Sequence, residues 1–233
     1  MCNIQVFELR LKVYLLQNIE LKNQQIWLTE LIDKFFQTET SWMEFHIANK
    51  LKMYSFSGLY TPEKEGMYKA GKIYTVTIRT VNEALANAFK QILPFLYTGF
   101  MKSLSCEMKC IPMKIITQLY SITPVIMKHN DGYWRGGLEL KDFEKNLREN
   151  LIKKYNEQYG LNINQTYEWY TKLDFHNKYP IGTNYKNIRI LGDKVKLEIS
   201  QNETAQKLAY FATGVGLLTM SGRGFGFVNY RWK

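Results

Sequence analysis

Cysteine is scarce in this chain: three in 233 residues, Cys2, Cys106 and Cys110, an odd number without a CxxC pair. Neither a disulfide framework nor a zinc site finds support in that pattern, which fits a reducing, cytoplasmic compartment. Long apolar runs are missing as well. The opening MCNIQVFELRLKVYLL carries Glu8, Arg10 and Lys12, and no later stretch reaches the roughly 18 uncharged residues of a membrane span, so the chain reads as soluble and untargeted, with no membrane partner. Acidic residues are outnumbered, 21 Asp and Glu against 31 Lys and Arg, for a formal net charge of +10. Such an excess favours polyanionic partners through counterion release and steering, without separating RNA from DNA. What the chain does have is apolar substance, 45% of its residues, and 16 tyrosines. That is ample for a packed core, and individual aromatics read first as core and second as platforms for stacked bases.

Phe7, Leu9, Leu11, Val13 and Leu15 alternate with Glu8, Arg10, Lys12 and Tyr14, the period of a half-buried strand. Helical spacing follows over 25–37 (Trp27, Leu28, Leu31, Phe35, Phe36) and over 83–93 (Leu85, Phe89, Ile92, Leu93), where Pro94 stops it. Strand-like segments at 53–60, 73–81 and 104–113 complete a β-α-β-β-α-β order. The second half repeats it: apolar residues over 115–127, a helix over 141–159, a hairpin over 188–199 turning at Gly192-Asp193, a short helix over 203–211 and a closing strand over 225–230. Residues 163–180 fit no element. The expectation is an α+β protein of two tandem ferredoxin-like (RRM-like) domains, 1–113 and 114–233.

Five glycines, Gly214, Gly216, Gly222, Gly224 and Gly226, crowd the C-terminal end, with Arg223 among them. Glycine reaches positive φ without steric cost, and successive exposed N–H groups make a cradle for an anion, phosphate above all. The plainer reading, a turn ahead of a final strand, is compatible with this.

The segment KLAYFATGVGLLTMSGRGFGFV (207–228) resembles the C-terminal glycine-rich signature of the RAMP superfamily, especially its CRISPR repeat endoribonucleases of the sixth Cas family. FHIANKLKMYSFSGLY (45–60) is similar to that family's histidine segment, with a Lys six residues after the His. LYSITPVIMK (119–128) resembles the strand that opens its second ferredoxin-like half. Two departures stand out: the loop has an extra G-x step and no charge over 217–221, and the first helix carries neither Tyr nor His.

What the resemblance implies is metal-independent cleavage of precursor CRISPR RNA, leaving a 5′-hydroxyl and a 2′,3′-cyclic phosphate, with no cofactor. RNA supplies the nucleophile as its 2′-OH, so the protein needs a base, an acid and a cation for the phosphorane charge. His46 matches the family histidine and Lys52 the charge-stabilising lysine, while Tyr54 is a candidate replacement for the absent helix tyrosine. The glycine loop with Arg223, together with Lys128 and Arg135, is the expected RNA grip. His129 and His176 read as loop residues, and the lysines over 141–154 as a solvated helix face. The departures leave a second reading in place: a noncatalytic repeat-RNA-binding subunit of a CRISPR interference complex. A homodimer also stays open.

Overall fold

A computed structural model describes residues 4–48, 50–129, 132–186 and 188–233; Cys2 lies outside them. In chain order the strands are β1 (Val6–Leu15), β2 (Ile19–Glu20), β3 (Tyr54–Phe56), β4 (Met67–Tyr68), β5 (Ile73–Thr80), β6 (Met101–Ile111), β7 (Ile116–Ser121), β8 (Tyr170–Phe175), β9 (Ile181–Tyr185), β10 (Ile188–Gly192), β11 (Val195–Ile199) and β12 (Val228–Trp232). The helices are α1 (Gln24–Phe36), α2 (Thr40–Ile47), α3 (Glu83–Ile92), α4 (Leu140–Tyr159) and α5 (Glu203–Val215).

The first sheet runs β3-β5-β1-β6 and the second β12-β7-β11-β8, antiparallel throughout. Each has the first strand of its half between the third and fourth, with the second at an edge, the arrangement of a βαββαβ unit in which helices cross over one face. The alternation in β1 puts Leu9, Leu11, Val13 and Leu15 at 0% exposure against Leu28, Leu31, Phe35 and Phe36 of α1 and Leu85 and Phe89 of α3. In the second half Phe143, Leu147 and Leu151 of α4 and Leu208, Ala209 and Phe211 of α5 cover Leu119, Val195 and Leu197.

Local chemistry fixes the helix ends. Asn82 and Asn202 accept from the N–H groups of Leu85 and Ala205, Glu139 and Asp142 make a capping box, and Gly160 (φ 63°) closes α4 in the left-handed region. Helix α5 belongs to both halves. Its Tyr210 hydroxyl accepts from Val6 N and donates to Ile111 O, while Gly214 approaches so closely that a Cβ there would lie 2.9 Å from Val81 and 3.2 Å from Val6.

Three expectations are corrected. The hairpin is β9–β10, not 188–199: β10 pairs with β9, whereas β11 pairs with β7 and β8. Gly192-Asp193 makes no exposed turn, because the Asp193 carboxylate is fully buried and accepts from Tyr133, Trp134, Arg135 and Asn177. The stretch 163–180 contains β8, the edge partner of β11. The last strand begins at Val228, not at 225, since Gly224 and Gly226 take φ of 81° and 64° and the Gly226 carbonyl accepts from Leu217 N. Helix α2 was not foreseen. It has no fully buried residue, leaves Met43 and Ile47 exposed and packs on the core only through Trp42 and Phe45, too short an apolar stripe to read over eight residues.

Candidate RNA-cleavage site

His46 lies in the last turn of α2. Its ring stacks on Phe36 of α1 at 4.7 Å between centroids, and its Nε2 faces Asp33 Oδ1 at 3.4 Å. Nδ1 is sealed and without a partner. Burial pulls the imidazole below 6.5; Asp33 opposes that, and the cations Arg223 and Lys52 add to it. Asp33 in turn holds Arg223 in a bidentate bond, 2.6 and 2.8 Å. A first-half helix is thereby tied to the glycine loop.

Lys52 is not a solvated lysine. Its ammonium donates to Phe45 O (2.6 Å) and Ala48 O (2.9 Å) and lies 5.0 Å from the Phe45 ring centroid, capping the end of the helix that carries His46. Burial first, then Arg223, lowers its pKa. Tyr54 is buried between Phe36 and Phe89, and its hydroxyl donates to Gly222 O at 3.2 Å; burial pushes its pKa upward.

The loop after α5 is tight and left-handed at Gly216 (φ 70°), Leu218 (57°), Met220 (65°), Gly224 and Gly226. The N–H groups of Gly216, Leu217, Thr219, Arg223, Gly224, Phe225 and Gly226 already donate to protein carbonyls. These glycines let protein approach protein: a Cβ on Gly226 would lie 2.1 Å from Leu217 O, and one on Gly224 2.5 Å from Phe56.

His46, Lys50, Lys52, Tyr54, Ser221, Gly222 and Arg223 line one cavity of about 200 Å³. Asn150 and Lys154 of α4 line it too. Sequence reasoning assigned Lys154 to a solvated face, but it is 2% exposed and bonds Leu218 O at 2.9 Å. Its neighbours in the sequence give no sign of this, because its burial comes from the loop folding over α4. Asp33 was missed for a similar reason: one acid in a mixed helix becomes notable only once His46 and Arg223 meet it.

Lys128, Arg135, His129 and His176 do not line the cavity. Arg135 pairs with buried Asp193 at 3.1 Å and stacks on Phe175. Among the described residues no three His, Cys, Asp or Glu side chains group as a metal site, and no helix is long and apolar enough to cross a membrane.

A glycine-rich loop of one ferredoxin-like half thus closes a cation-rich cavity against the histidine helix of the other, the architecture of a tandem ferredoxin-like protein. Residues 106–230 match the family described as CRISPR associated protein Cas6, C-terminal, and the chain belongs to that family. No curated protein matches the sequence. Of solved structures, a CRISPR associated protein Cas6 is similar with a TM-score of 0.69 at 19% identity, over 97% of this chain and 99% of that one. An RAMP protein binding different RNA substrates has a TM-score of 0.74 at 16% identity, over 97% and 99%. The product of a Cas6-related gene from Pyrococcus furiosus has 0.69 at 16%, over 97% and 98%. These likenesses establish the tandem ferredoxin-like fold.

Proposed function

We propose that this protein binds CRISPR repeat RNA between its two halves, divided at residues 113 and 114, and cuts the precursor once per repeat. The 2′-OH is the nucleophile, no metal takes part, and a 5′-hydroxyl and a 2′,3′-cyclic phosphate are left. The observation that carries this reading is the meeting of His46, Lys52 and Arg223 at one cavity.

His46, neutral at physiological pH, takes the 2′-OH proton as the 2′-oxygen bonds to phosphorus and the bond to the 5′-oxygen breaks. A proton from the resulting imidazolium, directly or through water, completes the 5′-hydroxyl. The exchange runs through Nε2, since Nδ1 is sealed, and Asp33 balances the imidazolium that forms. Lys52 and Arg223 face the negative charge that grows on the phosphorane. Tyr54, with its hydroxyl on Gly222 O, contributes by holding the loop. Gly222 and Arg223 shape the RNA-facing wall, Gly214, Gly216, Gly224 and Gly226 pack the loop that carries them, and Lys128 and Arg135 serve RNA outside the cavity through phosphate.

The test uses repeat RNA from the protein's own genome, in chelator, with end mapping. Cutting is expected with ribose at the cut nucleotide and is abolished by a single 2′-deoxy there; cutting that survives the substitution sinks the mechanism. Repeat binding by the wild type with no cutting at all supports the noncatalytic subunit instead.

A further inference from the structure

Among the described residues the cavity is lined by Lys50, Lys52, Lys154 and Arg223 and by no carboxylate, Asp33 lying behind His46 and Arg223. The far wall from His46's helix is one face of α4, where Asn150 and Lys154 stand four residues apart and hence side by side. Both have unmet needs. The Asn150 Oδ1 is shielded from water and has no hydrogen-bond partner, a state that native proteins seldom leave unanswered. The Lys154 ammonium has three donors, is 2% exposed, and spends one donor on Leu218 O; no ion pair holds it among the described residues.

One wall therefore asks for a donor and, next to it, for anionic oxygen. A DNA backbone answers the lysine and leaves the amide oxygen orphaned. A base edge answers the amide and leaves the ammonium without an anion. The 2′-OH of a ribonucleotide beside its own phosphate answers both.

We propose that Asn150 and Lys154 form a ribose–phosphate clamp, in which the Asn150 amide, which lines the cavity, turns its Oδ1 into it to accept from a 2′-hydroxyl of bound RNA while the Lys154 ammonium takes an oxygen of the adjacent phosphate. The clamp rests on the RNA-cutting reading above and adds to it a second-half device that selects RNA over DNA independently of the chemistry. Two further facts agree. Burial brings the Lys154 pKa down to about 7, so an arriving phosphate recharges it and binding takes up a proton at neutral pH. The Leu218 carbonyl it holds belongs to the left-handed pair Leu218 and Met220, so the clamp is joined to the loop.

The experiment measures binding in a His46→Ala background, which silences cutting. Repeat RNA is compared with versions carrying one 2′-deoxy at each position in turn. The parent should lose about tenfold in affinity at one position, the worth of one buried hydrogen bond. Adding Asn150→Leu, or Asn150→Ala, should bring that ratio to about one. The ratio is internal to each variant, so partial loss of folded protein cancels. Lys154→Met should weaken ribo and deoxy RNA alike and remove proton uptake on binding.

A position-specific penalty that persists in both Asn150 variants overturns the clamp, as does the absence of any penalty in a parent whose wild type still cuts; in those cases the cutting reading stands. A wild type that neither binds nor cuts repeat RNA overturns the cutting reading, and the clamp with it.

Discussion

At the scale of single residues, the site is governed by a four-membered charge cluster. Asp33 is shared by His46 and Arg223, and Lys52 and Arg223 both push the imidazole downward in pKa. If His46 is the base, the acid limb of kcat/KM has its midpoint below 6.5, because only the neutral ring accepts the proton and its neutral form persists to lower pH than usual. Arg223→Met removes a like charge and moves that limb up; Asp33→Asn removes the opposite charge and moves it down. Equal limbs in all three proteins would assign the titration to another group.

Lys154 gives a second residue-scale test that needs no RNA. Its native pKa, about 7, lies below the ordinary lysine value. Between about 7 and 10.5 the unfolded chain thus binds more protons, and stability rises with pH. Below 7 the full cost of the buried charge is felt. Lys154→Met should raise Tm more at pH 6 than at pH 9, as thermal unfolding at the two pH values would show.

At the scale of elements, the histidine depends on a helix that has little to hold it. Helix α2 has no fully buried residue; Trp42 and Phe45 pack on the core from its edge, and Lys52 ties down its last carbonyls. Lys52→Met is expected to cut activity by at least about tenfold and to speed amide hydrogen exchange over 40–47. Lost activity with unchanged exchange would place Lys52 in the chemistry alone.

The glycine loop shows a parallel division. Its spacing marks it as special in the sequence, but seven of its amides are already spent on protein carbonyls. Several glycines therefore answer to close packing against Leu217, Phe56 and Val81, and the part of the loop that lines the cavity is Leu218–Arg223.

At the scale of the whole molecule, the two halves meet at Arg79, which is held in a buried ion pair of the first half and hydrogen-bonds the second. Glu8, read from the sequence as a solvent-facing position of β1, is 4% exposed because Arg79 bonds it at 2.8 Å and reaches on to Val228 O and Asn229 of the second half. Burial alone would raise the Glu8 carboxyl, yet Arg79 and Lys109 hold it below its ordinary value. Its contribution to stability is accordingly present near neutrality and lost on acidification through that lowered pKa. Arg79→Met leaves the buried carboxylate with only Lys109 and Arg10, whose side chains are mostly exposed, and should cost up to about 3–5 kcal/mol, whereas Glu8→Leu with Arg79→Met should recover most of it. Urea unfolding of the three proteins decides; a single mutant as stable as the wild type would mean that the halves do not lean on this pair.

The sequence by itself determined the main strand and helix periods of the first half, the two helices of the second, the ferredoxin-like fold class, the basic character and the His46–Lys52 and glycine-loop segments, because each is a local pattern of side-chain type and spacing. The strand pairing of the second half was not among them. Only the tertiary structure decided that Asp33, Arg223, Asn150 and Lys154 join them. Charges dispersed over α1, α4 and the last loop acquire a common purpose through burial and mutual approach, and those are properties of distance in space that no spacing along the chain encodes.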